Sequence, residues 1–209
     1  MKIERIIVGP IQTICYLLVS NKNNCIIVDP GGDHQKIIER IEQKKILPKM
    51  ILLTHGHYDH VEVVNQIKDR YNIKVYLHKN DEEMQKNYFW DKYLGRQFNS
   101  PVIDGYLFDG QEIRLDELTL KVIETPGHSP GSVSFIVNKD VFSGDTLFAD
   151  GGIGRTDLWR SSQADIVNSI KNKLFILDED YKVYPGHGNS TTIGDEKRLH
   201  GFFQKGHGN

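Results

Sequence analysis

His55-Gly56-His57-Tyr58-Asp59-His60 places three imidazoles and one carboxylate within one short stretch, directly after the apolar run 50–53 and Thr54. Imidazole binds zinc, copper, iron or nickel and carboxylate oxygen favours harder ions, so the mixture indicates zinc, iron or manganese. Four donors this close in sequence cannot all face one small ion. The spacing therefore predicts two adjacent ions, with His55 and His57 on one and Asp59 and His60 on the other. A histidine-rich surface turn is the alternative, and the strand-like run before the motif disfavours it.

Three later residues share the setting of this motif. His128, Asp145 and His187 each lie in a turn rich in glycine or proline, directly after an apolar run with strand-like composition. A ligand at the end of a strand is held by the rigid sheet, and glycine lets the backbone approach an ion closely. Taken singly, each residue also fits an ordinary turn. Their common setting makes them candidate metal ligands.

The order H-x-H-x-D-H, His128, Asp145, His187 resembles the metallo-β-lactamase superfamily. Within that superfamily, the run 143–148 (Ser-Gly-Asp-Thr-Leu-Phe) followed by 154–157 (Gly-Arg-Thr-Asp) is similar to the short glyoxalase II-like hydrolases, known as hydroxyacylglutathione hydrolases. The resemblance runs from about residue 6 to residue 196, nearly the whole chain. It implies an α/β fold, a four-layer αββα sandwich with the ligand loops along one edge.

The resemblance also implies a role for each candidate ligand. The two expected metal sites are, for the first, His55, His57 and His128, and for the second, Asp59, His60 and His187, with Asp145 bridging them. Asp59 and Asp145 are the catalytic candidates. Zinc is the expected metal at both sites, with iron or manganese as alternatives.

Asp29, Arg155 and Asp157 are expected to support the site from outside the ligand set. Asp29 in Val28-Asp29-Pro30-Gly31-Gly32 matches the first-motif aspartate of the superfamily, which fixes the ligand loop. A turn-starting aspartate before Pro-Gly is the alternative for Asp29. Arg155 is expected to pair with Asp157 or the backbone and so hold the glycine-containing loop that follows Asp145. Its alternative role is binding a substrate carboxylate.

Strands and helices alternate twice along the sequence, which by itself favours two sheets with helices outside. We predict one domain over residues 1–209. The predicted strands are 2–8, 14–19, 25–28, 50–53, 74–77, 111–115, 118–123, 132–137, 141–142 and 182–184, and the predicted helices are 33–45, 61–70 and 163–177. Ser162 and Asp165 are placed to cap the last helix.

Composition limits the possible partners. The net charge is −2, so neither nucleic acid nor an anionic membrane is expected as a partner. The longest apolar run, 14–19, is far short of the ~20 residues of a membrane-spanning helix, and a cytoplasmic location is expected. Cys15 and Cys25 are expected to be buried free thiols. The oligomeric state is not predicted.

Two adjacent ions predict hydrolysis, because they lower the pKa of a shared water and its hydroxide can attack an acyl carbon. A thioester suits this chemistry, since a thiolate leaves at neutral pH without a strong general acid. The expected partner is therefore a small-molecule thioester. The resemblance disfavours antibiotic hydrolysis, and it carries no glutathione-binding residues over to this chain.

Two alternatives to hydrolysis remain at this stage. A mononuclear Fe(II) persulfide dioxygenase of the same fold would use His55, His128 and Asp145 as its ligands. A non-catalytic metal-binding subunit is the other alternative, and the complete ligand set disfavours it. The stretch 81–110 is rich in aromatic residues, and it is expected either to wall the substrate pocket or to pack onto the sandwich.

Overall fold

A computed structural model describes residues 1–85, 95 and 97–200, and within them the strands form two six-stranded sheets. The first sheet has the order β1-β2-β3-β4-β5-β6, with its first two pairings antiparallel and the other three parallel. Its strands are β1 Lys2–Val8, β2 Thr13–Val19, β3 Asn24–Val28, β4 Leu47–Leu52, β5 Lys74–His78 and β6 Gly105–Leu107.

The second sheet has the order β12-β11-β10-β9-β8-β7, and its β10–β11 pairing is parallel. Its strands are β7 Glu112–Leu115, β8 Leu118–Glu124, β9 Val133–Val137, β10 Asp140–Gly144, β11 Lys182–Pro185 and β12 Thr191–Thr192. Each sheet thus combines hairpin-linked strands with parallel strands joined by crossovers. The twofold alternation of strands and helices in the sequence predicts two such sheets.

Burial along β2 shows why the sheets stack face to face. All seven residues of β2 are buried, because successive side chains point to opposite faces and both faces are covered. Leu18 belongs to an apolar cluster between the sheets that includes Phe135 of the second sheet. Leu17 belongs to a second cluster, on the outer face, that includes Ile37 of the first helix.

Helices cover the outer face of each sheet. The first sheet packs against α1 (His34–Lys44) and α3 (Val64–Tyr71), and the second against α5 (Gln163–Ser169), its π-helical continuation Ile170–Leu174 and α6 (Ile193–Leu199). Shorter helical segments are α2 (Tyr58–Val61), a 3₁₀ turn (Lys79–Asp81) and α4 (Glu82–Gln85). The predicted four-layer αββα sandwich is confirmed. In the described part of the chain, no helix is long and apolar enough to cross a membrane.

Two predicted helices differ from those observed. The helix predicted over 61–70 is split into α2 and α3, because Val63 leaves helical geometry (φ −111°, ψ 18°) and its N–H donates to the carbonyl of Pro30. The helix predicted over 163–177 is α-helical only to Ser169 and then continues as a π-helix. Its predicted cap is present, since the Ser162 hydroxyl accepts from the N–H of Asp165.

The aromatic stretch 81–110 lies partly outside the described residues, which omit 86–94 and 96. Of its described aromatics, Phe98 is buried in the cluster beneath the helices of the first sheet, whereas Tyr106 and Phe108 are exposed. Strand β6, which the sequence did not predict, also arises from this stretch. Cys15 and Cys25 are buried free thiols, as predicted.

Removing the phenyl ring of Phe135 should test how far stability depends on the apolar layer between the sheets. Phe135 is 0% exposed, so Phe135→Ala should lower the free energy of unfolding by about 3–5 kcal/mol in chemical denaturation. Phe108→Ala is the matched control, because that ring is 59% exposed and its loss should change stability by about 0.5 kcal/mol or less. Equal losses in the two variants would contradict the assignment of the core.

Candidate metal centre

Strand ends from both sheets deliver the seven candidate ligands to one place. In the first sheet, His55 and His57 follow β4, and Asp59 and His60 lie in α2. From the second sheet come the ligands that follow β8, β10 and β11, namely His128, Asp145 and His187. Because β10 and β11 are parallel neighbours, their carboxyl ends meet at the same edge.

The structure brings these seven residues into three overlapping groups. Within each group, one ligand atom from every member lies within 4.8 Å of the others. The groups are His55, His57 and His128; His55, His60 and Asp145; and Asp59, His60 and His187. The first and third are the two ligand triplets that the family resemblance implies, and we call them the three-histidine group and the Asp59 group.

In the three-histidine group the ring nitrogens face one another. Nδ1 of His57 lies 2.8 Å from Nε2 of His128. The ring centroid of His55 is 4.7 Å from that of His57 and 4.9 Å from that of His128. All three side chains are buried, with at most 4% of their surface exposed. Three imidazoles thus converge with little water around them.

Asp145 lies between the two groups. Its Oδ2 is 3.5 Å from Nε2 of His128 on one side and 3.5 Å from Nε2 of His187 on the other, and its Oδ1 is 3.3 Å from Nε2 of His60. In the Asp59 group, Oδ2 of Asp59 lies 3.3 Å from Nε2 of His60 and 3.2 Å from Nε2 of His187. Asp145 is the carboxylate positioned to serve both groups.

Hydrogen bonds on the outer ring nitrogens indicate which nitrogen faces inward with a lone pair. Nδ1 of His60 lies 2.9 Å from Oδ2 of Asp29, and Nδ1 of His128 lies 2.9 Å from the carbonyl oxygen of Arg155. Both partners can only accept, so these Nδ1 atoms carry protons and the inward-facing Nε2 atoms are the nitrogens that would bind a metal ion. Nε2 of His60 and Oδ1 of Asp145 are buried acceptors without a hydrogen-bond partner. Facing acceptors of this kind fit divalent cations, which would neutralise them.

Burial and neighbouring charges set the protonation of the donors. Burial, reinforced by the surrounding imidazoles, holds the pKa of His55 well below its usual value, and burial with the nearby His128 lowers that of His57 to about 3. Burial would raise the pKa of Asp145, but the imidazoles of His60, His128 and His187 outweigh it and lower the pKa. Burial would lower the pKa of His60 and His187, but the carboxylates of Asp145 and Asp59 outweigh it and raise the pKa of both rings, that of His60 well above its usual value. His55 and His57 are therefore neutral beside an ionised Asp145, whereas a metal ion at the Asp59 group would displace protons from His60 and His187.

Two glycines let the backbone pass close to the ligands. A Cβ on Gly186, beside His187, would lie 2.2 Å from Oδ1 of Asp145. A Cβ on Gly154 would lie 1.8 Å from the carbonyl oxygen of Asp145. Glycine at these two positions therefore allows the two loops to approach the ligand residues.

Asp29 supports the ligands from the first sheet. Its Oδ1 accepts from the N–H of Thr54 (2.8 Å), and its Oδ2 accepts from the Thr54 hydroxyl (2.6 Å) as well as from His60. Since that hydroxyl donates to Asp29, its oxygen is left to accept from Nδ1 of His55, 3.0 Å away. Asp29 therefore orients one imidazole directly and another through Thr54.

Arg155 and Asp157 form the expected pair. The guanidinium donates from Nε and from a terminal nitrogen to the two Asp157 oxygens, at 2.9 and 2.8 Å. The side chains are 70% and 68% exposed, so solvent screens the pair and it contributes little to stability. The contact to a ligand is made by the backbone carbonyl of Arg155, which accepts from His128.

Two supporting residues were missed in the sequence. The Thr13 hydroxyl donates to Oδ2 of Asp59 at 2.8 Å, and the buried carboxylate of Asp81 accepts three hydrogen bonds from the ligand loops. Burial raises the pKa of Asp81 above its ordinary value, against the lowering effect of those three donors. The available signal was position: Asp81 follows β5 closely, as the ligands follow their own strands.

The chain was then compared with known proteins. The sequence profile of the family described as "Metallo-beta-lactamase superfamily" matches residues 8–187. Hydroxyacylglutathione hydrolase GloC of Haemophilus influenzae is 38% identical over 213 residues, covering 97% of this chain and 98% of that protein. The profile match and the match to this relative both span every candidate ligand from His55 to His187.

Two solved structures share the fold over nearly their full length. The crystal structure of BLEG-1 B3 metallo-beta-lactamase gives a TM-score of 0.89 at 36% identity, covering 98% of this chain and 100% of that one. The crystal structure of TTHA1623 in a di-iron-bound form gives a TM-score of 0.85 at 33% identity, covering 95% and 99%.

Replacing Asp29 by asparagine should weaken metal binding without straining the backbone. Asp29 has a φ of 52°, a left-handed conformation that asparagine also adopts readily. Asp29→Asn should lower metal affinity about 10–100-fold, because the carboxylate no longer holds His60 and Thr54. Competition with a chelator measures this affinity. Asp33→Asn is the control, since Asp33 has a φ of 48° and its carboxylate accepts from Gly9; equal effects in both variants would contradict the supporting role of Asp29.

Two metal equivalents per chain are expected in protein prepared without chelator, and Asp145→Asn should reduce both metal content and activity. The amide keeps the shape of the carboxylate but loses the charge that offsets two cations, so activity should fall by at least roughly 10–100-fold. Elemental analysis and turnover are the measurements. Asp157→Asn, at an exposed carboxylate of the neighbouring loop, should leave the metal content unchanged. Near-normal turnover in Asp145→Asn would refute the bridging assignment.

Proposed function

This chain belongs to the metallo-beta-lactamase superfamily of metal-dependent hydrolases, and from that premise we propose that it hydrolyses thioesters at a binuclear metal centre. The observation that carries the binuclear part is the position of Asp145, whose oxygens face the three-histidine group on one side and the Asp59 group on the other. The 38% sequence identity to a hydroxyacylglutathione hydrolase, over 97% of this chain and 98% of that protein, supports the thioester part.

The expected cofactor is a pair of divalent ions, zinc with iron or manganese as alternatives. The converging Nε2 and carboxylate acceptors fit such ions, and the relative solved in a di-iron-bound form supports iron as an alternative. When bound, the two ions would polarise an acyl oxygen and make a water acidic enough to ionise near neutral pH.

The residues of the chain fix the geometry in which that chemistry occurs. Asp145 sets the separation of the two groups through one rigid carboxylate. Asp29 and the Arg155 carbonyl hold the His60 and His128 rings so that their Nε2 lone pairs point inward. Thr13 donates to Asp59 and thereby orients the carboxylate that faces His60 and His187. This preorganisation removes the need to rearrange donors during the reaction.

The choice of a thioester follows from the leaving group. An amine or alkoxide needs a proton from a general acid as it departs, whereas a thiolate is stable near neutral pH. With divalent ions bound, the converging imidazoles and carboxylates would act as ligands through their lone pairs and would not supply that proton. The substrate class proposed is a small thioester, without assignment of its acyl or thiol part.

A second candidate function is β-lactam hydrolysis. The specific observation that favours it is the 36% identity to a structure described as a B3 metallo-beta-lactamase. The sequence resemblance by itself disfavours this activity. Oxidation of a persulfide at one iron remains the alternative that predicts a different metal content, one ion instead of two.

A side-by-side assay of the purified, metal-analysed protein tests the proposal. S-lactoylglutathione hydrolysis, hydrolysis of a chromogenic cephalosporin and oxygen uptake on glutathione persulfide are measured at equal enzyme concentration. We expect the highest kcat/KM for the thioester, lost in Asp145→Asn and kept in Asp157→Asn. A higher value for the cephalosporin, or oxygen uptake with one tightly held iron, would replace the proposal by the corresponding alternative.

A further inference from the structure

Asp81 lies outside the candidate ligand set, yet it is completely buried beside it, with 0% of its surface exposed. It ends the 3₁₀ turn Lys79–Asp81 that follows β5. Its carboxylate accepts three short hydrogen bonds: from the N–H of Gly56 at 2.8 Å, the hydroxyl of Ser129 at 2.6 Å and the N–H of Gly131 at 2.6 Å. A buried carboxylate with three donors is held in one orientation and holds its donors in return.

The identity of these donors gives Asp81 a specific position in the site. Gly56 is the residue between His55 and His57, and Ser129 is the residue directly after His128. One carboxylate thus joins the loop of the first sheet that carries two histidines to the loop of the second sheet that carries the third. All three members of the three-histidine group are tied through it.

Close packing reinforces this connection. A Cβ on Gly131 would lie 2.7 Å from Oδ1 of Asp81, and a Cβ on Gly56 would lie 2.8 Å from its carbonyl oxygen. Both distances are too short for real atoms, so each loop can approach Asp81 only because glycine stands at that position. Both loops therefore pack closely against the same residue.

The Asp59 group has different supports. Asp29 holds His60, Thr13 holds Asp59, and the carbonyl of Ile11 lies 3.2 Å from Nδ1 of His187. Asp29 also reaches His55 through Thr54, whereas Asp81 accepts from both the His57 loop and the His128 loop. The hydrogen bonds of the Asp81 carboxylate thus support the three-histidine group.

We propose that Asp81 is a positioning residue for the three-histidine group, fixing the approach of the His55–His57 loop to His128, so that its loss weakens metal binding at that group selectively. This inference rests on the metal-binding part of the proposed function and is independent of the substrate.

Asp81→Asn is the direct test, because it keeps the side-chain shape but replaces one acceptor oxygen by a donor. In either amide orientation, the NH₂ group faces an N–H or O–H donor, so at least one of the three hydrogen bonds is lost. Metal-free protein is titrated with Zn²⁺ against a chromogenic chelator. His57→Ala and His187→Ala, one in each group, identify which binding step belongs to which group. We expect Asp81→Asn to weaken the step lost in His57→Ala by roughly 10–100-fold and to leave the step lost in His187→Ala unchanged.

Asp116→Asn is the matched control. Asp116 also joins two turns, because it accepts from the Ser20 hydroxyl at 2.6 Å and from the Asn24 side-chain amide at 2.8 Å. These partners follow the end of β2 at Val19, whereas Thr13, which contacts the ligand Asp59, begins that strand. It also has a left-handed φ, 53°, which asparagine tolerates. Asp116→Asn should lower the melting temperature and leave both Zn²⁺ affinities unchanged.

Each remaining outcome decides the proposal. Equal weakening of both steps in Asp81→Asn, or a lower melting temperature with unchanged affinities, would overturn it. If Asp81→Asn does not fold, Ser129→Ala removes a single donor and should weaken the same step to a smaller extent; unchanged binding there would overturn the proposal. A wild-type chain that binds no Zn²⁺ would overturn the metal centre as well, whereas Zn²⁺ binding without thioester hydrolysis would remove only the proposed function.

Discussion

Ionisable side chains packed together in a buried space are the constraint on which this structure depends. Nε2 of His60 lies 3.3 Å from Oδ1 of Asp145, and this carboxylate, with Asp59 and Asp29, raises the pKa of the buried imidazole well above its usual value. Buried charges are costly unless they are paired. Divalent cations would take the place of the protons that these groups share, and the sandwich provides the rigid frame that keeps the side chains from turning away. The apolar layer between the sheets, to which the buried Phe135 belongs, has this positional role in addition to its contribution to stability.

The frame acts on the ligands through groups that never face the centre. Asp29, the carbonyl of Arg155 and Asp81 each take up the outward hydrogens of the ligand loops. Each of these supports occupies a buried or backbone position, so its geometry follows from the fold rather than from a mobile side chain. The exposed Arg155–Asp157 pair is the contrasting case, because the part of Arg155 that touches a ligand is an atom that every amino acid has. Substitution of its side chain leaves that atom in place.

The strands and the donor positions could be predicted from sequence because both depend on local patterns. Apolar runs mark the strands, and the donors stand where those runs end, so proximity follows once the strands share a sheet edge. Asp81 follows β5 as the ligands follow their own strands, but no motif marks it or Thr13 as part of the site. Their partners are backbone and side-chain groups 25 to 50 residues away, and a lone aspartate or threonine carries no periodic signal. The break at Val63 has a similar origin, since a contact with the carbonyl of Pro30 overrides local helix propensity.

The origin of the donors from both sheets has a consequence for how the protein would acquire its ions. His55 and His187 are separated by most of the chain, and each three-donor group includes one residue that follows a strand of the second sheet, His128, Asp145 or His187. A chain in which only the first sheet has formed offers an incomplete set. Metal capture is therefore a late event that follows assembly of the sandwich, unlike in small domains whose folding a metal ion drives. Once the two sheets are packed together, a bound ion would link residues from both of them and stabilise the assembled sandwich.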